Sequence, residues 1–109
     1  MNLHEYLATL SIPTSNSAYD VLYEYINHYE QYKGLNIGDT YKILSENLNK
    51  SEKSIEKVLM RCVKYTFNKM PHWIKHKLFR NTLAKDELPC VLHYIKTLAL
   101  RFDDFKKFE

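Results

Sequence analysis

The chain contains few of the residues that break regular secondary structure. Its 109 residues include only two glycines, Gly34 and Gly38, and three prolines, Pro13, Pro71 and Pro89. Because a β-sandwich or barrel needs a turn about every 8–12 residues, so few turn-forming residues argue against both architectures. Since no two glycines lie closer than four positions, a glycine-rich phosphate loop is also excluded. The composition therefore predicts an all-α protein, and this length suits a single domain with one modest core.

Cysteines and long apolar runs are equally scarce. Two cysteines, Cys62 and Cys90, are too few for the disulfide framework of a small secreted protein. The N-terminus lacks the basic start and apolar run of a signal peptide. No stretch approaches the roughly 20 apolar residues that a membrane span requires. We therefore expect a soluble, cytoplasmic protein with reduced cysteines.

The charges are unevenly distributed along the chain. The net charge is +3 overall, but residues 1–49 carry two basic and six acidic side chains, whereas residues 50–80 carry nine basic and two acidic ones. Residues 81–109 are balanced, with five of each sign. A local excess of seven positive charges is typical of a surface that binds a polyanion such as nucleic acid. On charge alone, a solvated lysine-rich helix face explains the same pattern equally well.

Turn-forming and capping residues divide the chain into six predicted helices. The first runs from about residue 3 to 10, the second from a cap at 15–17 to 32, the third from 39 or 40 to 48, the fourth from the Ser51 cap to about 70, the fifth from 72 to 79, and the last from Pro89 toward 105. Residues 33–38 are predicted as a loop, and Asn49-Lys50 as a short turn. Residues 39–70 thus form a short helix, a tight turn and a longer helix, which is the pattern of a helix-turn-helix.

The longer of these two helices has two chemically different faces. At about 100° per residue, one face collects apolar and small side chains and the opposite face collects basic ones. The predicted buried stripe is Ile55, Val58, Leu59, Cys62, Val63 and Thr66, and the predicted outer face is Lys53, Ser54, Lys57, Met60, Arg61 and Lys64. Such a helix can pack on its own domain and place its outer face in the major groove of DNA. This arrangement favours DNA binding over a merely solvated face.

Four motifs follow one another between residues 7 and 104. The first comprises Leu10, Ser11, Ile12, Pro13, Tyr19, Leu22 and Ile26; the second, Tyr41, Leu44, Ser45, Leu48, Asn49, Ser51, Ile55, Glu56, Lys57, Leu59, Arg61, Val63 and Phe67; the third, Leu78, Phe79 and Thr82; and the fourth, Pro89, Tyr94, Ile95, Leu98, Ala99 and Phe102. With these motifs the chain resembles the C-terminal DNA-binding domain family of the sporulation response regulator, stage zero sporulation protein A of endospore-forming bacteria. The resemblance implies an α-helical domain that binds duplex DNA through a helix-turn-helix.

The sequence departs from this family in the residues that would read DNA. Ser54 and Met60 stand where the family has arginine, Arg61 stands where it has histidine, and Lys57 replaces another arginine, whereas Glu56 is retained. Serine and methionine cannot grip guanine bidentately as arginine does, so the family's operator sequence is not carried over. The family's phosphorylatable receiver domain has no counterpart in these 109 residues.

We therefore predict a sequence-specific duplex-DNA-binding protein, a small transcriptional regulator that is not an enzyme and uses no cofactor. A homodimer on DNA is compatible with this prediction. The predicted DNA-binding residues are Lys50 and Ser51 at the start of the recognition helix; Ser54, Glu56, Lys57, Met60 and Arg61 near base edges or nearby backbone, with the Arg61 guanidinium suited to a guanine edge; and Lys53 and Lys64, with Lys69, Lys75 and Lys77, near phosphates. The alternative is a protein-interaction module that keeps the fold and has lost operator binding.

Three other groups of residues have side chains typical of functional sites. His72 and His76 have the spacing of zinc ligands, but Trp73 replaces the glutamate of a zinc-protease motif and no cysteine pair completes a site, so we expect no metal. Cys62 falls on the buried helix face and is expected to be a core residue. The nine tyrosines are expected to divide between interhelical packing and a surface. Tyr19, Tyr23 and Tyr41 are assigned to packing, and Tyr25, Tyr29 and Tyr32 to a partner surface or to ordinary surface positions.

Overall fold

The computed structural model describes residues 2–79 and 88–106, with side chains as far as residue 102. In these two ranges all regular secondary structure is helical and there is no strand, as the composition predicts. The helices are α1 (Leu3–Thr9), α2 (Tyr19–Asn27), α3 (Tyr29–Tyr32), α4 (Ile37–Leu48), α5 (Glu52–Lys69), α6 (His72–Phe79) and α7 (Val91–Lys106). Thr82 of the third motif and Arg80 of the basic segment lie outside the described residues.

Among the described residues there are seven helices and not the predicted six, because the second predicted helix is divided into α2 and α3. The chain leaves helical geometry at His28, where φ is −117° and ψ is 34°, and α3 begins at the next residue. The His28 N–H still bonds to the Glu24 carbonyl oxygen at 3.1 Å. Neither glycine nor proline occurs at this point, so no ordinary breaker residue marks it in the sequence.

Side-chain caps mark the starts of α1, α4 and α5. Asn2 and Glu5 form a capping box at α1. The Ser51 hydroxyl accepts a hydrogen bond from the Ser54 N–H at 3.1 Å, which confirms the predicted start of α5. Asn36 caps α4 in the same way, so α4 begins at Ile37, earlier than predicted, and Gly38 lies inside it rather than in the preceding loop.

The last helix, in contrast, begins later than predicted. We expected Pro89 just inside its start, but α7 begins at Val91, and Pro89 is buried in the segment before it. α7 packs against α1, α2, α5 and α6. The Tyr6 hydroxyl of α1 donates a hydrogen bond of 2.6 Å to the Leu98 carbonyl oxygen of α7. α7 therefore contacts four of the described helices, whereas α4 packs mainly against α2 and α5.

The roles predicted for the tyrosines of α2 and α3 are largely reversed. Tyr25 and Tyr32 are completely buried, whereas Tyr23, which we assigned to packing, is 39% exposed. Tyr19 and Tyr29 are half-buried. The rings of Tyr25 and Tyr32 pack at a tilt of 35°, with centroids 5.1 Å apart. The buried stripe of α2 consists of Val21, Leu22, Tyr25 and Ile26. The apolar spacing instead predicts a stripe of Tyr19, Leu22, Tyr23, Ile26 and Tyr29. Both stripes have helical spacing, and packing against the neighbouring helices decides between them.

Candidate nucleic-acid interface

α4 and α5 are joined by a tightly bonded three-residue turn. Asn49 adopts the left-handed conformation with φ of 54° and ends α4. Ser45 holds the turn at two points, because its hydroxyl donates to the Lys50 carbonyl oxygen and its own carbonyl accepts from the Lys50 N–H at 3.2 Å. Ser51 then caps α5. The turn fixes the position of Lys50, whose side chain is exposed.

The buried face of α5 agrees with the predicted rotation. Ile55, Leu59, Cys62, Val63 and Thr66 are buried. Leu59 is 1% exposed. Val58, also placed on this stripe, is half-buried. α5 packs against α4 on one side and α7 on another.

A buried hydrogen-bond network joins α5 to α7. The Thr66 side-chain oxygen lies 2.6 Å from the Tyr94 hydroxyl and also donates to the Cys62 carbonyl oxygen. Burial raises the pKa of the Cys62 thiol above its usual value, and the Thr66 hydroxyl opposes this only in part. Cys62 is therefore a protonated core residue, as the sequence predicted for it.

Nine of the twelve predicted DNA-binding residues lie in the turn before α5 or on its outer and flanking faces, and all nine are exposed. They are Lys50, Ser51, Lys53, Ser54, Glu56, Lys57, Met60, Arg61 and Lys64. We call Lys53, Lys57 and Lys64 the basic strip, because they follow the outermost line of α5. The strip has a positive charge on nearly every turn, with Met60 inserted in the line at 55% exposure. The start of α5 also carries Glu52, and its Ser54 N–H is already bonded to Ser51. The exposed Lys50 side chain is therefore better placed to attract a phosphate than the backbone N–H groups at the start of α5.

The two flanks of α5 differ in charge. Glu56 lies on the side that faces α4, where burial, followed by the Glu56 charge, raises the pKa of Tyr41. Arg61 lies on the opposite flank. There it lines a cavity of about 310 Å³, which we call the Arg61 cavity, together with Asn16, Ser17, Val58, Cys62 and Tyr65. The base-facing set predicted from the sequence is thus divided between the outer line and two chemically unlike flanks.

Some of the lysines predicted to neutralise phosphates are less free than their sequence positions indicate. Lys69 is exposed, but Lys75 and Lys77 of α6 are half-buried. The Lys75 ammonium lies 4.7 Å from the centre of the Phe67 ring, a cation–π contact. Lys75 therefore covers the core as well as contributing charge. The lysines of α6 are less exposed than those of the basic strip.

Two large exposed aromatic side chains of this region were not singled out in the sequence. Tyr65 is 60% exposed and Trp73 is 62% exposed. Their position within the basic segment 50–80 was the available signal, since aromatic rings among lysines are a common feature of nucleic-acid-binding surfaces.

The residues described here contain no group of three or more histidine, cysteine or acidic side chains arranged to hold a metal ion. Cys62 and Cys90 are both free thiols. In the ranges that the structure covers, no helix is both long and apolar enough to cross a membrane.

Comparison with known proteins adds no relative. No protein-family model, curated protein sequence or solved structure matches the chain. The resemblance to the sporulation regulator's DNA-binding domain therefore remains a prediction based on the four motifs quoted above.

Proposed function

We propose that this protein binds duplex DNA, with α4, the turn and α5 acting as a helix-turn-helix and the outer face of α5 entering the major groove. The observation that carries the proposal is the basic strip of Lys53, Lys57 and Lys64. The strip is exposed on a helix whose opposite face is anchored in the core. An α-helix is about 10–12 Å across and a major groove about 12 Å wide, so a helix held in this way can present the strip to DNA.

The charge distribution supports a role for the strip in affinity and for its neighbours in selectivity. Lysine ammonium groups bind phosphates as point charges, and such contacts stabilise binding to all sequences alike. Met60, which lies in the line of the strip, is able to contact thymine methyl groups, and Ser54, near the start of α5 on the flank of Arg61, is able to hydrogen-bond to a base edge or to the backbone. In this proposal the protein is a small transcriptional regulator of the cytoplasm whose preferred sequence differs from that of the sporulation regulators.

Salt-dependent binding to labelled duplexes tests the proposal. If the strip neutralises phosphates, the logarithm of the association constant should fall by about 0.9 per logarithmic unit of salt for each phosphate contacted. Lys64→Gln should lower this slope by about 0.9 and weaken binding to two unrelated duplexes equally. Lys33→Gln is the matched control, because Lys33 is an exposed lysine outside the helix-turn-helix, in the acidic half of the chain. It should leave both quantities almost unchanged.

The second candidate is a protein-interaction module that has lost operator binding. Met60 favours it, because a large apolar side chain stands 55% exposed in the middle of the proposed DNA-binding face. Failure to bind any duplex at low salt would support this candidate and refute DNA binding. If a duplex is selected from a random pool, sedimentation of the complex decides whether one copy or a homodimer binds it.

A further inference from the structure

The Arg61 cavity is lined by hydrogen-bond donors. Arg61 and Tyr65 lie one turn apart on α5, and Asn16 and Ser17 lie in the segment that precedes α2. A guanidinium group has five N–H donors and no acceptor, and the two hydroxyl groups can each donate one hydrogen bond. The Asn16 side-chain oxygen accepts from the Ala18 N–H at 2.8 Å, so its amide group retains two further donors.

Among the described residues, no carboxylate lines this cavity. In the described part of the chain, no acidic side chain forms an ion pair with Arg61. A second groove, of about 570 Å³, shows the contrast, because it is lined by both Asp20 and Glu24 together with His4, Tyr19, Tyr23, Asn27, His28, Leu48 and Lys50. The Arg61 cavity therefore combines one unpaired positive charge with neutral donors, which is the chemistry that recognises a phosphate or another oxyanion.

The position of the cavity fits a phosphate of the DNA backbone. The basic strip occupies the outermost line of α5, and Arg61 lies about 40–80° around the helix from its three lysines, counted at 100° per residue. When a helix fills the major groove, its flanks face the two sugar–phosphate walls, and the flexible lysine side chains of the outermost line can reach the phosphates of either wall. Asn16 and Ser17 extend the Arg61 flank away from α5, so this flank forms a broader surface than the helix alone provides.

We propose that the Arg61 cavity binds one phosphodiester group of the DNA backbone, with the guanidinium as its charged ligand and Ser17 and Tyr65 as neutral hydrogen-bond donors. This inference rests on the proposed DNA binding and extends it, because it assigns Asn16, Ser17 and Tyr65 to the interface. It also changes the role expected for Arg61. The sequence alone favoured a guanine edge, whereas the structure surrounds Arg61 with further donors suited to an anion.

The salt dependence of binding distinguishes a phosphate contact from a base contact. Arg61→Gln should lower the salt slope by about 0.9 and weaken two unrelated duplexes by the same factor, on the order of tenfold. Ser17→Ala and Tyr65→Phe each remove one neutral donor. Each should weaken both duplexes equally, by about threefold to tenfold, without changing the slope. Lys33→Gln serves again as the control for removing one exposed charge.

Two outcomes of these measurements would overturn the proposal while leaving DNA binding intact. In the first, Arg61→Gln weakens the selected duplex much more than an unrelated one and keeps the slope, which would make Arg61 a base contact. In the second, Ser17→Ala and Tyr65→Phe bind every duplex as the unaltered protein does, which would leave Arg61 acting without the cavity.

Titration of the DNA-free protein with inorganic phosphate, followed by backbone amide NMR, tests the site independently of DNA. We expect shifts confined to the residues around Asn16, Ser17, Arg61 and Tyr65, and their loss in Arg61→Gln. If no duplex binds but these shifts occur, the proposed function fails, and the cavity is a site for a free phosphate instead of a DNA phosphodiester. If shifts are absent or lie elsewhere, the anion site itself is refuted.

Discussion

The hydrogen bond between Thr66 and Tyr94 allows a sharp test of how α5 is held on the domain. Tyr94 is completely buried and Thr66 is 2% exposed, and their side-chain oxygens lie 2.6 Å apart. Thr66→Val removes the hydroxyl with almost no change in shape. It leaves the Tyr94 hydroxyl buried with only the weakly bonding Cys62 thiol beside it.

An unsatisfied buried donor costs more than a hydrogen bond contributes, because the group has lost water without gaining a partner. We therefore expect Thr66→Val to lower the free energy of unfolding by about 1–3 kcal/mol. Tyr94→Phe should cost less, about 0.5–1.5 kcal/mol, because the Thr66 hydroxyl keeps its bond to the Cys62 carbonyl oxygen. The double variant should lose clearly less than the sum of the two single losses, since the second change removes the group that the first left unsatisfied.

Urea unfolding followed by far-ultraviolet circular dichroism measures all four free energies in this cycle. The denaturant slope should stay constant, because none of the changes alters the surface exposed on unfolding. Additive losses, or a Thr66→Val protein as stable as the original, would refute the reasoning. Either result would mean that the two hydroxyl groups do not satisfy each other and that apolar contacts alone hold α5 against α7.

Three further predictions concern stability. Leu59→Ala should lower the free energy of unfolding by about 2–5 kcal/mol, measured by urea unfolding, because Leu59 is 1% exposed at the centre of the α5 core face; a loss below about 0.5 kcal/mol would contradict the packing of α5. Tyr25→Phe should be neutral or stabilising in the same assay, since the Tyr25 hydroxyl is buried without a hydrogen-bond partner among the described residues; a loss above 1 kcal/mol would reveal a partner. Burial, and then the hydrogen bond to Glu24, raise the pKa of Tyr32 to about 12. Because an unfolded tyrosine ionises near pH 10 and the folded Tyr32 stays neutral, stability should fall as pH rises from about 10 to 12. Thermal melting at pH 9 and 11 should show a smaller loss in Tyr32→Phe, and an equal loss would exclude Tyr32 as the titrating group.

The sequence predicted α5 well because its two faces are chemically unlike. Leu59 and Cys62 lie on one side and Lys57 and Lys64 on the other, so only one rotation of the helix buries the apolar side and keeps the charges in water. Ser51 and Pro71 mark the ends of the helix by capping and by steric exclusion, both of which act locally. The exposure of the candidate interface could therefore be predicted without knowledge of the fold.

The sequence failed on α2 and α3 for the opposite reason. Tyrosine combines an apolar ring with a polar hydroxyl, so Tyr23 and Tyr25 are each acceptable inside or outside a protein. Two stripes of helical spacing then compete, and the neighbouring helices decided that Tyr25 and Tyr32 would be buried. The break between α2 and α3 at His28 could not be predicted either, because no glycine or proline marks it in the sequence.

What the sequence by itself determined is the all-α class, most helix ends, and the outward face of α5, since these follow from local propensity and from amphipathic periodicity. Only the tertiary structure decided what stands beside that face. Asn16 and Ser17 lie far from Arg61 and Tyr65 in the chain, and they share a cavity because the packing of the domain brings the segment before α2 against the flank of α5. Periodicity describes one helix at a time, whereas the residues that meet across two elements depend on the packing of the whole core.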